Sequence, residues 1–176
     1  MFAPLRHIRT RSFLLMAFVC LNCLSCFTIK YSTTGASIPP DAATVSVQFF
    51  QNQANYIEAG LDQQFTDALK DYVQSNTSLV IVNGTGDLDF EGTITRFETQ
   101  PTSIVSGDVA SQNRFTISVR VKYNCNVDPE QDFEETFSRS EDYDSSQDFE
   151  TVKTDLIDAI QELLIEDVFN RAFTNW

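Results

Sequence analysis

NRFTISVRVKYNCN, running from Asn113 to Asn126, is the stretch that decides the architecture. Phe115, Ile117, Val119, Val121 and Tyr123 fall on one side of an extended chain; Arg114, Thr116, Ser118, Arg120 and Lys122 fall on the other. Strict alternation in a run rich in β-branched and aromatic residues specifies a strand with one buried face. A slip of one residue would move every apolar side chain into water, so the pattern also sets the register. A sheet apolar on one side needs a second layer to cover it.

The flanking sequence supplies both the sheet and its cover. LDFEGTITRFET (Leu88–Thr99) reads as the pairing strand, and the acidic stretch Phe133–Tyr143, with Phe133 and Phe137, as a weaker strand at a sheet edge. TVSVQFF (Thr44–Phe50) predicts a half-buried strand with Val45, Val47 and Phe49 on its inner face. LVIV (Leu79–Val82) is a short apolar run closed by the turn residues Asn83 to Gly86. A helix is predicted from about Ile57 to Gln74, its stripe formed by Leu61, Phe65, Ala68, Leu69, Tyr72 and Val73, with Gly60 weakening the first turn. A longer one spans Phe149–Phe173, with Val152, Leu156, Ala159, Ile160, Leu163, Leu164, Val168 and Ala172 expected to face the core and Asp148 and Glu150 suiting its first turn. The expected fold is α+β: one mixed, mostly antiparallel sheet of about four to five strands with two helices packed on one face. Strand order does not follow from these patterns.

The N-terminus carries a different signal. Arg6, His7, Arg9 and Arg11 form a basic head, with no acidic residue before Asp41, and the apolar run SFLLMAFVCLNCL (Ser12–Leu24) follows. That run is shorter than the roughly 20 residues of a membrane-spanning helix and reads as an export signal. Ser25-Cys26 closes it and resembles the lipobox of bacterial lipoproteins, in which the cysteine becomes the first residue and is acylated, although Cys23 stands where that pattern prefers leucine. Residues 1–25 are therefore expected to be a signal peptide, 26–43 a lipidated N-terminus and tether, and 44–176 a single domain. The lipid on Cys26 is covalent, and no cofactor is expected. Two or three acyl chains, at about 0.8 kcal/mol per buried CH₂, anchor stably where one does not.

Composition removes several function classes. The chain has 176 residues, enough for one domain with its own core, and a formal charge of −13. Loss of the three signal arginines and of no acid takes this to −16. Nucleic acid is excluded as a partner, because phosphate binding needs a cationic footprint. His7 is the single histidine and leaves with the signal, which rules out Ser-His-Asp and Cys-His catalysis and histidine-ligated metals. No phosphate-cradling glycine loop occurs. Asp128, Glu130, Asp132 and Glu134 alternate but lack the central glycine of a calcium loop, and read as a solvated acidic connection, so no metal is expected. Cys20 and Cys23 leave with the signal and Cys26 is acylated, so Cys125 remains alone, a packed thiol. No catalytic residue is marked, and a non-enzymatic role is expected.

The scarce cations stand out. Arg114, Arg120 and Lys122 share the polar side of one strand, and a hairpin centred near residue 105 would bring Arg96 close to Arg114. Two readings compete: a cationic stripe that recognises phosphate or carboxylate, or cross-strand ion pairs with Glu91, Glu98 or the acidic strand after Phe133. The abundance of acids favours ion pairing. The connection Gln100–Gln112 is long for a hairpin and carries Ile104 and Val105 among small polar residues, a composition suited to insertion into a partner.

In order along the chain, YSTTGASIPPDAATVSVQFFQNQA, LDQQFTDALKDYVQSNTSLVIV, GDLDFEGTITRFE, NRFTISVRVKY and DVFNRAFTNW resemble the LPS-assembly lipoprotein LptE family in its Bacteroidetes-like form. The phrases that carry the resemblance are Tyr31-Ser32 with Gly35 to Ile38, Gly86-Asp87-Leu88, Gly92-Thr93-Ile94 and Phe169-Asn170, and it covers nearly all of the chain after the signal. It implies a non-enzymatic outer-membrane lipoprotein that faces the periplasm, sits in the lumen of the LptD β-barrel as a plug, helps that barrel assemble and assists lipopolysaccharide insertion into the outer leaflet. It also implies lipopolysaccharide contact through basic residues, for which Arg96, Arg114, Arg120 and Lys122 are the local counterparts. The acidic charge opposes broad attraction to lipid A, so the plug role stands ahead of direct lipopolysaccharide binding. On this reading the Gln100–Gln112 loop reaches into the barrel. The competing reading is a solitary ligand-binding or surface-adhesion lipoprotein.

Overall fold

The computed structural model describes residues 38–102 and 112–174; the signal, Cys26, most of the tether and the middle of the Gln100–Gln112 connection lie outside them. The elements are β1 (Thr44–Val47), β2 (Gln51–Asn52), α1 (Leu61–Asn76), β3 (Val80–Ile81), β4 (Leu88–Pro101), β5 (Gln112–Cys125), β6 (Phe133–Asp144) and α2 (Phe149–Phe173), with a 3-10 turn at Pro129–Gln131. They form one mixed sheet in the order β3-β1-β4-β5-β6, with β2 pairing to β4 beyond β1. The sheet thus has six strands, slightly more than expected. The short pairs β1–β3, β1–β4 and β2–β4 are parallel, and the long pairs β4–β5 and β5–β6 antiparallel. Both helices cover one face of the sheet, where Phe65 meets Phe50 from the break between β1 and β2, and Phe149 and Phe173 meet the sheet aromatics Phe115 and Phe90.

Phe115, Ile117, Val119, Val121 and Tyr123 are all buried, as the alternation requires, and Cys125 is a buried free thiol beside them. Helix α1 begins at Leu61 because Gly60 takes φ +83°, a turn into the helix that a residue with a Cβ rarely adopts. It buries Leu61, Phe65, Leu69 and Val73, the expected stripe, together with Thr66. Asp148 caps α2 through the Glu150 N–H.

Two expectations need correction. Val45, Val47 and Phe49 were to share the inner face of one strand. Instead the strand breaks after Val47, the count shifts by one, and Phe50 is fully buried while Phe49 is 50% exposed. The Phe50 N–H donates to Thr66 Oγ1 (3.0 Å), which fixes the break against α1. The Phe50 ring then fills the place over β4 where Gly92 has no side chain, since a Cβ there would stand 2.0 Å from Phe50 Cε1.

The second correction concerns α2, which is rotated from the expected phase. Ile157, Ile160, Gln161, Leu164, Ile165, Val168, Phe169 and Phe173 are buried, whereas Ala159 is exposed and Leu163 half-buried. Apolar residues occur on most sides of this helix, so spacing alone leaves its phase open. Aromatic contacts settle it: Phe169 packs on Tyr72 (centroids 5.1 Å apart), and Phe173 on Phe90 (5.9 Å) and Tyr123 (6.2 Å).

Edge strand β6 attaches by charge as well as packing. Arg139 forms a two-pronged pair with Asp167 (2.6 and 2.6 Å), and Arg171 reaches Glu135 (3.1 Å) while lying 4.3 Å from the Phe133 ring centroid. At the other end of the sheet, Asp87 ties the start of β1 to the start of β4. Its Oδ2 accepts from the N–H groups of Ala43 (3.0 Å) and Thr44 (2.9 Å) and from the Thr44 hydroxyl (2.7 Å), while Thr44 Oγ1 accepts from the Asp87 N–H (2.9 Å).

These donors, the Thr44 hydroxyl foremost, hold the Asp87 carboxyl below its ordinary value. A depressed folded-state value stabilises the fold above the unfolded-state value near about 3.9, and that stabilisation is lost as pH falls through the lower folded one. Asp87→Asn should therefore lower the urea midpoint at pH 7, with the deficit shrinking below about pH 4 as the native lock protonates. An equal deficit at pH 7 and pH 2.5 would rule out the charge-dependent lock.

Candidate partner-facing surface

With both helices on one side, the other face of the sheet is bare and polar. Its middle is assembled from the outward positions of β4, β5 and β6, where register decides which charges meet. Arg114 lies between Gln100 and Asp142, and its Nε and Nη2 donate to the two Asp142 oxygens at 2.7 and 2.9 Å. That pairing lowers the Asp142 carboxyl and raises the Arg114 guanidinium from their ordinary values. Arg96 lies opposite Ser118, not beside Arg114, because Gln100 pairs with Arg114 and the hairpin is therefore centred near residue 107, not 105. Its Nε is 3.4 Å from Glu98.

The expected stripe of four cations is thus split. Arg96 and Arg114 follow the ion-pair reading. Arg120 and Lys122 are exposed and form no ion pair among the described residues. Lys122 lies in register between Glu91 and Glu134, and Arg120 between two neutral threonines, Thr93 and Thr136. Arg120 therefore has the less compensated charge.

Arg120 and Lys122 line an open cleft of about 490 Å³ with Gln48, Phe49, Gln51, Glu91 and Glu134. The break between β1 and β2 builds its wall by turning Phe49 outward. Alternation in TVSVQFF puts Phe49 inside, although Phe49-Phe50 holds the missing signal: adjacent strand residues point to opposite faces, so two neighbouring aromatics cannot both be inside. Beside the cleft, Asp89 is buried and accepts from Gln48 Nε2 (2.9 Å) and from the Ser46 hydroxyl, which itself accepts from the Gly86 N–H (2.9 Å). These contacts hold the Gly84–Gly86 turn over β1 and give the cleft a fixed border. The surface combines one aromatic, neutral amides, two cations that form no ion pair among the described residues and two carboxylates, and Arg120, set between threonines, is the place in it that suits an anionic group attached to apolar substance.

The acidic alternation after β5 has structural work. Asp128 caps the 3-10 turn through the Glu130 N–H, and Asp132 accepts from the Cys125 N–H at 2.6 Å. Among the described residues no group of three or more carboxylates or thiols could hold a metal ion, and no helix is long and apolar enough to cross a membrane.

Residues 42–172 match the family model for LptE, described as lipopolysaccharide-assembly. No curated protein matches the sequence. Among solved structures, a hypothetical protein of Chlamydia trachomatis is similar at 12% identity and TM-score 0.53, with 76% of this chain and 99% of that one covered. Uncharacterized lipoprotein B of Nitrosomonas europaea is similar at 13% identity and TM-score 0.51, with 80% and 86% covered. A Xanthomonas campestris protein of the DUF330 family is similar at 14% identity and TM-score 0.50, with 78% and 90% covered. At these identities the likeness is one of fold.

Proposed function

The chain belongs to the LptE lipopolysaccharide-assembly family, and from that premise we propose that it is the outer-membrane lipoprotein subunit of a lipopolysaccharide translocon. In this reading it is acylated on Cys26, occupies the lumen of an LptD-like β-barrel, helps that barrel assemble and contacts lipopolysaccharide through Arg120 and Lys122. The family match over residues 42–172 carries the reading. The role is non-enzymatic, in keeping with a non-catalytic lipoprotein family.

The layout of the domain supports it. The chain enters the sheet beside Asp87, where the tether would arrive. Strand β4 then runs 14 residues, about 45 Å at ~3.3 Å per residue, to the opposite end. There the Thr102 N–H still bonds to the Gln112 carbonyl (2.9 Å), so the connection between them leaves the sheet far from the tether. A domain with one polar sheet face suits a plug, whose fit depends on polar complementarity with a barrel interior.

Purification of the tagged full-length protein from detergent-solubilised envelopes tests the proposal. A large outer-membrane β-barrel should be recovered in stoichiometric amount and lost when Cys26→Ala mislocalises the protein. Recovery of an acylated, folded lipoprotein alone sinks the subunit reading and leaves the solitary binding lipoprotein. Deletion of residues 103–111 should impair barrel assembly or outer-membrane integrity; an intact envelope would remove the loop from the mechanism.

A further inference from the structure

The two ends of the sheet are built differently. One is β3, two residues long; the other is β6, which runs 12 residues, about 40 Å at ~3.3 Å per residue. Natural edge strands are commonly blunted by shortness, proline or a bulge, because their unpaired N–H and C=O groups template a further strand. Strand β6 contains no proline or glycine and pairs with β5 from Phe133 to Asp144 without a register shift. The ladder fixes which of its backbone groups face outward. The Gln112 carbonyl accepts from the Thr102 N–H (2.9 Å) and the Asn126 N–H donates to the Asp87 carbonyl (2.8 Å), so even-numbered residues of β5 turn their backbone to β4. Odd-numbered residues of β5 therefore serve β6, and odd-numbered residues of β6 answer them. Glu134, Thr136, Ser138, Ser140 and Asp142 are left presenting N–H and C=O groups away from the sheet. All five are exposed, and their backbones have no hydrogen bond on that side among the described residues.

Charge decides the occupant. Antiparallel pairing of β6 with a second copy about Ser138 would set Glu134 against Asp142 and Glu135 against Glu141, and like charges directly opposite are destabilising. Glu134, Glu141 and Asp144 form no ion pair among the described residues. These acids lie towards the two ends of the strand, with the neutral hydroxyls of Thr136, Ser138 and Ser140 between them. A segment that is cationic at both ends and neutral in the middle matches that pattern; backbone bonds supply its affinity and the terminal charges its selection. We propose that the outer edge of β6 accepts such an extended segment of a partner polypeptide as a seventh strand, through the open backbone groups of Glu134, Thr136, Ser138, Ser140 and Asp142. This edge recognition does not rest on the translocon reading and is tested without a barrel.

The test adds the peptide acetyl-Lys-Val-Thr-Val-Thr-Val-Thr-Val-Lys-amide to the full-length protein, in non-ionic detergent at low salt, and follows backbone amide exchange with deuterium by NMR. In the free protein the amides of the outward residues should exchange fast, and those of Phe137, Arg139 and Glu141, bonded to β5, slowly. The peptide should slow the outward amides saturably and bind about fivefold more tightly than its counterpart with glutamate at both ends. N-methylation of its threonines, whose N–H groups would meet β6, should abolish binding. Thr136→Pro removes one outward N–H where an edge strand tolerates proline, and should abolish the protection while the Arg139 and Glu141 amides stay slow. The absence of saturable protection overturns the proposal, as does equal binding of the glutamate peptide or unchanged binding of the N-methylated one. Unchanged binding to Thr136→Pro with Arg139 still protected overturns it too. Protection of the outward amides that rises with protein concentration in the absence of peptide also overturns it, and assigns the edge to a second copy.

Discussion

Gly92→Ala is expected to destabilise the domain by about 1–3 kcal/mol, the range for overpacking a filled core. The added Cβ would meet three atoms of the Phe50 ring, at 2.0, 2.6 and 2.6 Å, distances that no rotamer adjustment of alanine relieves. The ring cannot retreat freely. Phe50 is fully buried, its backbone N–H is bonded to Thr66, and its ring packs on Phe65 with centroids 5.0 Å apart. Shifting it would disturb the contact that fixes the end of β1 against α1, so the effect should spread beyond one side chain. Phe50→Leu should be costly alone, by about 1–3 kcal/mol for lost burial and imperfect refilling, yet should absorb most of the Gly92→Ala penalty. A double-mutant cycle from urea midpoints therefore has a large favourable coupling as its expected result. Additive losses would show that Gly92 is needed for something other than space for Phe50.

The same contact shows what could and could not be read from the sequence. The alternation in β5 was legible because ladder geometry allows one answer for five apolar residues in a row of odd positions. The acidic strand was legible as an edge from its charge, whereas the pairing of its Arg139 and Glu135 with Asp167 and Arg171 of α2 was not. Gly92-Thr93-Ile94 and Gly86-Asp87-Leu88 carried the family resemblance, and both prove to be places where the fold is locked: one leaves room for Phe50, the other holds β1 to β4. Phrases of that kind report architecture rather than chemistry. The face of α2 was not legible, since Phe169 and Phe173 choose it through rings on other elements. Nor was the fate of the cations, which turned on a hairpin centred near residue 107 and not 105, so that Arg96 meets Ser118 and not Arg114. The burial of Gln161 gave no signal at all, because a glutamine within a helix looks solvated until its neighbours are known.

Charge reversal at the two unpaired cations, Arg120→Glu with Lys122→Glu, should reduce lipopolysaccharide binding at least tenfold while leaving barrel recovery intact. A hydrogen bond to a charged group contributes roughly 1.5–3 kcal/mol, and each 1.4 kcal/mol is a factor of about ten. Losing two such contacts and replacing them with repulsion gives an effect well above measurement error. The domain as a whole repels anions, which makes the comparison sharper: any binding must be local, and the cleft beside Phe49 holds two cations that form no ion pair among the described residues, although Glu91 and Glu134 line it too. Arg114→Gln supplies the control. Its guanidinium is already paired with both Asp142 oxygens, so its removal should change binding less than twofold although it removes the same charge. If binding were set by net charge alone, a single neutralisation at Arg114 and one at Arg120 would weaken it equally. Equal losses, or unchanged binding in the double reversal, would place lipopolysaccharide contact elsewhere on the molecule and leave the cleft as a surface for the barrel wall. A larger loss for Arg120 than for Lys122 is the finer expectation, because Lys122 is flanked by Glu91 and Glu134 whereas Arg120 is flanked by threonines.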